Sequence, residues 1–89
     1  MKVAFDRAKD EVNLAKHGVS LARAGELEIE AVVPDDRRDY GEPRVRAFGL
    51  IDGEAYCLVF TIRENHVRAI SLRRAHLKEY QRHVRQAQV

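Results

Sequence analysis

Two groups of residues in this 89-residue chain carry side chains suited to acting on a phosphodiester. One is Lys16-His17, followed at once by Gly18, a pair that reads either as a helix-ending cation pair or as a proton-transfer site. The other is a series of arginines in the second half, Arg44, Arg46, Arg63, Arg68, Arg73 and Arg74. Histidine moves protons near neutral pH, a contribution of about 10²–10⁴-fold to a rate. Arginine presents a planar fork that grips phosphate oxygens in pairs. RNA carries its own nucleophile, because its 2′-hydroxyl attacks the adjacent phosphate. A protein cutting it must take the 2′ proton, neutralise the phosphorane and protonate the leaving 5′ oxygen. One preorganised donor aimed at the developing charge is worth about 3–4 kcal/mol.

Charge is distributed unevenly along the chain. Residues 1–42 hold seven Lys/Arg against ten Asp/Glu, a net of −3, whereas residues 43–89 hold nine against four, a net of +5. The basic half is the place for a polyanion; its bland alternative is a solvated basic face. Length and composition, 45% hydrophobic and 34% charged, predict one globular domain over residues 1–89. No apolar run approaches the roughly 20 residues of a membrane span, and the start meets Asp6 too early for a secretory signal. Cys57 is the only cysteine, which fits a reducing cytoplasm. No Cys/His cluster has zinc spacing, so neither metal nor cofactor is expected.

The elements that position these groups follow from periodicity. Val3-Ala4-Phe5 reads as a short edge strand. Asp6 caps a helix with Ala8, Val12 and Ala15 inward, and Gly18 ends it. Ser20 caps a second helix with Leu21, Ala24, Leu27 and Ala31 on one stripe, weakened at Gly25. Residues 34–43 are a polar loop. Three strands follow, joined by Asp52-Gly53 as a type I′ turn and by a second turn at Asn65-His66. Ala75–Gln86 reads as a C-terminal helix. The resulting class is α+β, ordered β-α-α-β-β-β-α, with an antiparallel sheet packed against an N-terminal helical hairpin.

Side chains alternate faces along a strand, and opposed residues share a face. An Asp52-Gly53 loop pairs Ile51 with Glu54, Phe48 with Cys57, Arg46 with Val59 and Arg44 with Thr61. An Asn65-His66 loop sets Arg68 against Arg63. Arg44, Arg46, Arg63 and Arg68 then share one face, where they repel one another unless an anion lies among them. Phe48 is on that face, able to stack a base or to pack inward. The alternative partners of the arginines are Asp35, Asp36, Asp39 and Glu42 of the loop upstream.

Several strings stand in a distinctive order: Phe5-Asp6-Arg7-Ala8-Lys9, Asn13, Lys16-His17-Gly18, Gly41-Glu42-Pro43-Arg44, Thr61-Ile62-Arg63 and Arg68 to Ala75. In this order and spacing the chain resembles the BrnT family of small bacterial toxins over residues 3–80. The departures, Phe5 for Trp, Leu21 for Phe and Leu72 for Ala, remove no polar candidate. The resemblance implies a RelE-like fold and a ribosome-independent endoribonuclease that inhibits translation and growth. It implies catalytic roles for Lys16, His17, Arg44, Arg63, Arg68 and Arg73 and an RNA contact for Arg74, to which the shared strand face adds Arg46 and Phe48 as RNA contacts. Of Arg73 and Arg74, one reaches the phosphate and the other the start of the last helix. Tyr80 reads either as an acid/base group or as core. The implied partner is a BrnA-type antitoxin with a ribbon-helix-helix portion, through which alone operator DNA is met. A non-catalytic module binding nucleic acid or the antitoxin is the alternative reading.

Overall fold

The computed structural model describes residues 2–88, so both end residues of the expected 1–89 domain lie outside it. The chain runs β1 (Val3–Ala4), α1 (Arg7–His17), a 3₁₀ helix (Leu21–Glu26), β2 (Glu28–Pro34), β3 (Val45–Ile51), β4 (Glu54–Arg63), β5 (His66–Arg74) and α2 (Leu77–Ala87). The class is α+β, built on one five-stranded sheet of order β1-β5-β4-β3-β2. β1 runs parallel to β5 and the remaining neighbours are antiparallel, so the sheet is mixed, not wholly antiparallel.

The first helix begins and ends where its caps dictate. Asp6 accepts a hydrogen bond from the Ala8 N–H at 2.7 Å, and Gly18 closes the helix at φ +72°. The expected second helix is absent, and with it the helical hairpin. Ser20 does cap, accepting from the Ala22 N–H, but six residues of 3₁₀ helix follow and the chain then enters β2. The spacing of Leu21, Ala24 and Leu27 is the three-residue period of a 3₁₀ helix. Beyond it, Ile29, Val32 and Val33 favour a strand, and Pro34 is tolerated because β2 is an edge. Ala31 is buried on that strand, not on a helix.

α1 also turns differently from its apolar pattern. Ala8, Val12 and Ala15 are exposed, and the residue it buries is Asn13. The Asn13 amide donates to the carbonyls of Leu72 and Val19, each at 2.9 Å, and accepts from the Leu72 N–H at 3.0 Å. One side chain therefore satisfies both backbone groups of Leu72 on β5, which would otherwise be orphaned in the interior.

The sheet packs on both faces. On one, Val19, Leu21, Ala24 and Leu27 cover Ala47, Ile51, Tyr56, Leu58, Ala69 and Leu72. On the other, α2 lays Tyr80 and Val84 against Ala31, Phe48 and Cys57. Gly49 lets β2 press close to β3, since a Cβ there would stand 2.0 Å from the Glu28 carbonyl oxygen. Among the described residues no helix is long and apolar enough to cross a membrane.

Candidate active site

The first hairpin has the register its turn implies. Ile51 pairs with Glu54, Phe48 with Cys57 and Arg46 with Val59, around Asp52 and Gly53 at φ +51° and +77°. The second hairpin corrects the sequence reading. Its loop is Glu64-Asn65, at φ +52° and +66°, so Arg63 faces His66 and Thr61 faces Arg68. The loop keeps two residues but slides back by one. Register therefore shifts by two, an even number, and Arg68 stays on the face of Arg46 and Arg63. Farther along, Val59 pairs with Ser71 and Phe60 with Ala69, leaving Ile70 as the extra residue of a bulge. Arg73 opposite Cys57 returns to the arginine face; Arg74 opposite Tyr56 lies on the other.

An open groove of about 420 Å³ runs between α1 and β5, and Lys16, His17, Arg44, Ile70 and Ser71 line it. Lys9 and Val12 complete its α1 wall. A second hollow, about 430 Å³, holds Arg63, Arg68 and His66. Glu42 joins the two. Its Oε1 accepts from Arg63 Nη2 at 2.7 Å, and its Oε2 stands 3.5 Å from Arg44 Nε, an ion pair without a hydrogen bond. The Arg44 guanidinium also lies 4.1 Å from the centre of the Tyr40 ring. Of the loop acids named as alternative partners, Glu42 is the one holding these arginines. Asp35 is buried and pairs with Arg37, while Asp39 accepts from the Gly41 N–H.

The loop is anchored at its ends. The Asp35 N–H donates to the Arg44 carbonyl at 2.8 Å, and Thr61 Oγ1 donates to the Pro43 carbonyl at 2.7 Å. Arg37 holds the Asp35 carboxyl at about 2, and Arg63, with Arg44 behind it, holds Glu42 below the usual carboxylate range.

Partial burial lowers the pKa of His17, and Lys16 and Arg73 lower it further. The helix end alone predicts a stabilised imidazolium; burial first, and then the neighbouring cations, reverse that, leaving a neutral ring able to accept a proton at pH 7. Arg73 reaches α2, where it contacts both Glu79 carboxylate oxygens at 3.2 and 3.3 Å. Burial raises the Glu79 pKa, and the Arg73 contacts outweigh it to leave the group below its usual value.

Two expected RNA contacts are not brought to this surface. Phe48 is wholly buried, with the His83 ring stacked on it at 4.4 Å and 16°, so no base can reach its face. Arg74 follows strand alternation to the opposite face, where it pairs with Glu54 at 2.6 Å and overlies Tyr56. Arg46 stays on the arginine face, 5.8 Å from the Phe48 ring centre, and its Nε has no partner among the described residues. Tyr80 resolves as packing: it lies in the apolar cluster under α2 and donates its hydroxyl to Glu30 of β2, at the sheet edge away from β5.

Lys9, Val12, Ile70 and Ser71 were not singled out by sequence reasoning as site residues. Lys9, Val12 and Lys16 are spaced by three and four residues, which places them on one helix face. That signal was present; the bulge that turns Ile70 toward α1 has none.

No curated protein matches the chain. A family model does match, over residues 5–79, and its description is a ribonuclease toxin, BrnT, of a type II toxin–antitoxin system. That span takes in α1, the loop to Arg44, both hairpins and Arg73. The chain belongs to the BrnT family of ribonuclease toxins.

Proposed function

We propose that this protein is a RelE-like, ribosome-independent endoribonuclease that cleaves single-stranded RNA without a metal ion and so inhibits translation and growth. The observation that carries the reading is the convergence of Lys16, His17 and Arg44 on one groove, with Arg73 close enough to depress the His17 pKa. A neutral His17 takes the 2′ proton as the hydroxyl attacks. Arg44 and Arg73 hold the non-bridging phosphate oxygens and gain strength as charge develops on them. Lys16, beside the ring, gives a proton to the departing 5′ oxygen. Arg63 and Arg68 receive a neighbouring phosphate in the second hollow, and Arg46 adds to the field between them.

The chain acts in the cytoplasm with an antitoxin as its partner. We assign that partner to the BrnA type, whose ribbon-helix-helix portion alone meets operator DNA. An acidic segment of it covers the arginine face and competes directly with RNA, an association that is fast and salt-sensitive. The alternative, a module that binds without cutting, needs the arginines but not a depressed His17.

Incubation of the purified chain with RNA in EDTA tests the reading. Cleavage should persist and should be lost in His17→Gln. Activity abolished by EDTA and restored by magnesium would contradict it.

A further inference from the structure

We propose that the aliphatic wall of the groove, Val12 and Ile70 with Ser71 beside them, is a nucleobase seat that sets where the RNA chain is cut. This rests on the ribonuclease reading above and adds to it a base-binding subsite.

The groove is lined by two kinds of surface. Lys9, Lys16 and Arg44, with the neutral His17 ring among them, make a cationic rim suited to a phosphate. Ala8, Val12 and Ile70 make an apolar wall, and a groove of about 420 Å³ falls within the usual span of small-ligand sites, about 300–1,000 Å³. An apolar wall beside a phosphate-holding rim is complementary to one nucleotide, whose base is flat and weakly polar on its faces.

Two local features are otherwise unaccounted for. Val12 is 64% exposed on a helix whose buried contact is Asn13, so it contributes nothing to the core. Ile70 is the extra residue of the β5 bulge, and bulges re-aim side chains at functional sites. The bulge brings this residue to the groove wall across from α1. A single exposed valine means little; here it faces a second aliphatic residue placed by an irregularity in the strand.

Asn13, on the groove floor, cannot read a base. Both its Nδ2 bonds and its Oδ1 acceptor are committed to Leu72 and Val19. The Ser71 hydroxyl has no partner among the side-chain hydrogen bonds of the described residues, and it can donate to or accept from a base edge. The wall therefore supplies binding, and Ser71 the discrimination between bases.

The test uses the full chain and oligoribonucleotides of one sequence, each carrying a single abasic ribose at a different position. Binding is read with 2′-O-methyl versions and cleavage with unmodified ones. One abasic position, next to the cut, should weaken binding to the wild type by about tenfold, in line with burial of one base face on aliphatic surface. That penalty should vanish in Val12→Asn and in Ile70→Asn. Ser71→Ala should keep the penalty but broaden the set of cleaved sites. Val12→Asn is a surface change and leaves Lys16, His17 and Arg44 in place.

If abasic RNA is bound and cut by the wild type like intact RNA, the seat does not exist. If Val12→Asn and Ile70→Asn handle RNA normally but bind the antitoxin weakly, the wall is a partner site and the proposal is overturned. A wild-type chain that cuts no RNA at all defeats the underlying reading, an outcome distinct from uniform cleavage of abasic substrates.

Discussion

The two faces of the sheet are made by the same three strands, yet they do opposite things. On one face Ala47, Ile51, Leu58, Ala69 and Leu72 close into a core under the 3₁₀ helix. On the other, α2 covers Phe48 and Cys57, and beyond them lie Arg46, Arg63, Arg68 and Arg73. Apolar residues on the first face are there because burial stabilises them. Arginines on the second repel one another, and the acids near them, Glu42 and Glu79, are too few to neutralise the set. A surface that costs stability in the isolated chain is expected where a ligand supplies the missing charge.

The largest effect should come from the covered face. Leu58→Ala empties a site with no solvent exposure and should cost about 2–5 kcal/mol in denaturant melts. Gly49→Ala should be as damaging, because its Cβ would meet backbone, not a movable side chain. Neither change alters the arginines, so any residual folded protein should still bind RNA.

The open face should show the reverse pattern. Arg44→Ala should lower RNA cleavage by about 10²–10³-fold, and Arg68→Ala, which loses a contact to a neighbouring phosphate, should lower it by about tenfold, while circular dichroism stays native-like and stability holds within about 1 kcal/mol.

Acid should act on the open side in two steps. His17 and His83 both have lowered pKa values, His83 through burial and then Arg46 and Arg82. Such groups stay neutral when folded but protonate when unfolded. Stability is therefore unaffected above about pH 6.5 and falls as pH drops below it toward the folded values. Asp35, Glu42 and Glu79 are shifted down, so their contribution is present above about pH 4.5 and lost as pH falls further. Melts across pH should show both steps, and His83→Phe should remove the His83 part of the first. Cleavage should rise with pH through the His17 titration and level off above about 6.5.

The smallest expected change is a gain. Glu42 occupies Arg44 and Arg63 as a phosphate would, so Glu42→Gln should tighten RNA binding about three- to tenfold at low salt, with less gain at high salt. Weaker binding would make Glu42 a residue that positions the two arginines.

Much of this contrast was legible in the sequence. Asp52-Gly53 dictates a type I′ turn, and strand alternation then gathers Arg44 and Arg46 with Arg63. The second loop was displaced because Glu64, a residue type uncommon at positive φ, takes the place expected of Asn65. The arginine face survived because the displacement is even. β2 was hidden by Leu21, Ala24 and Leu27, whose spacing suits 3₁₀ and α helices alike and so extended the helix past Gly25. Asn13 is a deeper case. Its amide serves as a strand partner for Leu72, 59 residues away, and nothing local to α1 announces that. Phe48 was ambiguous for a similar reason, since the ring that covers it, His83, arrives from the far end of the chain.

The most direct measurement compares three arginines in one assay. RNA cleavage in EDTA should be measured for Arg44→Ala, Arg68→Ala and Arg74→Ala, each checked for native circular dichroism. Arg44→Ala should be nearly inactive, Arg68→Ala clearly impaired, and Arg74→Ala, whose side chain lies on the opposite face with Glu54, should cut as the wild type does. Full activity in both Arg44→Ala and Arg68→Ala, or loss in Arg74→Ala alone, would contradict the assignment of catalysis to the arginine face.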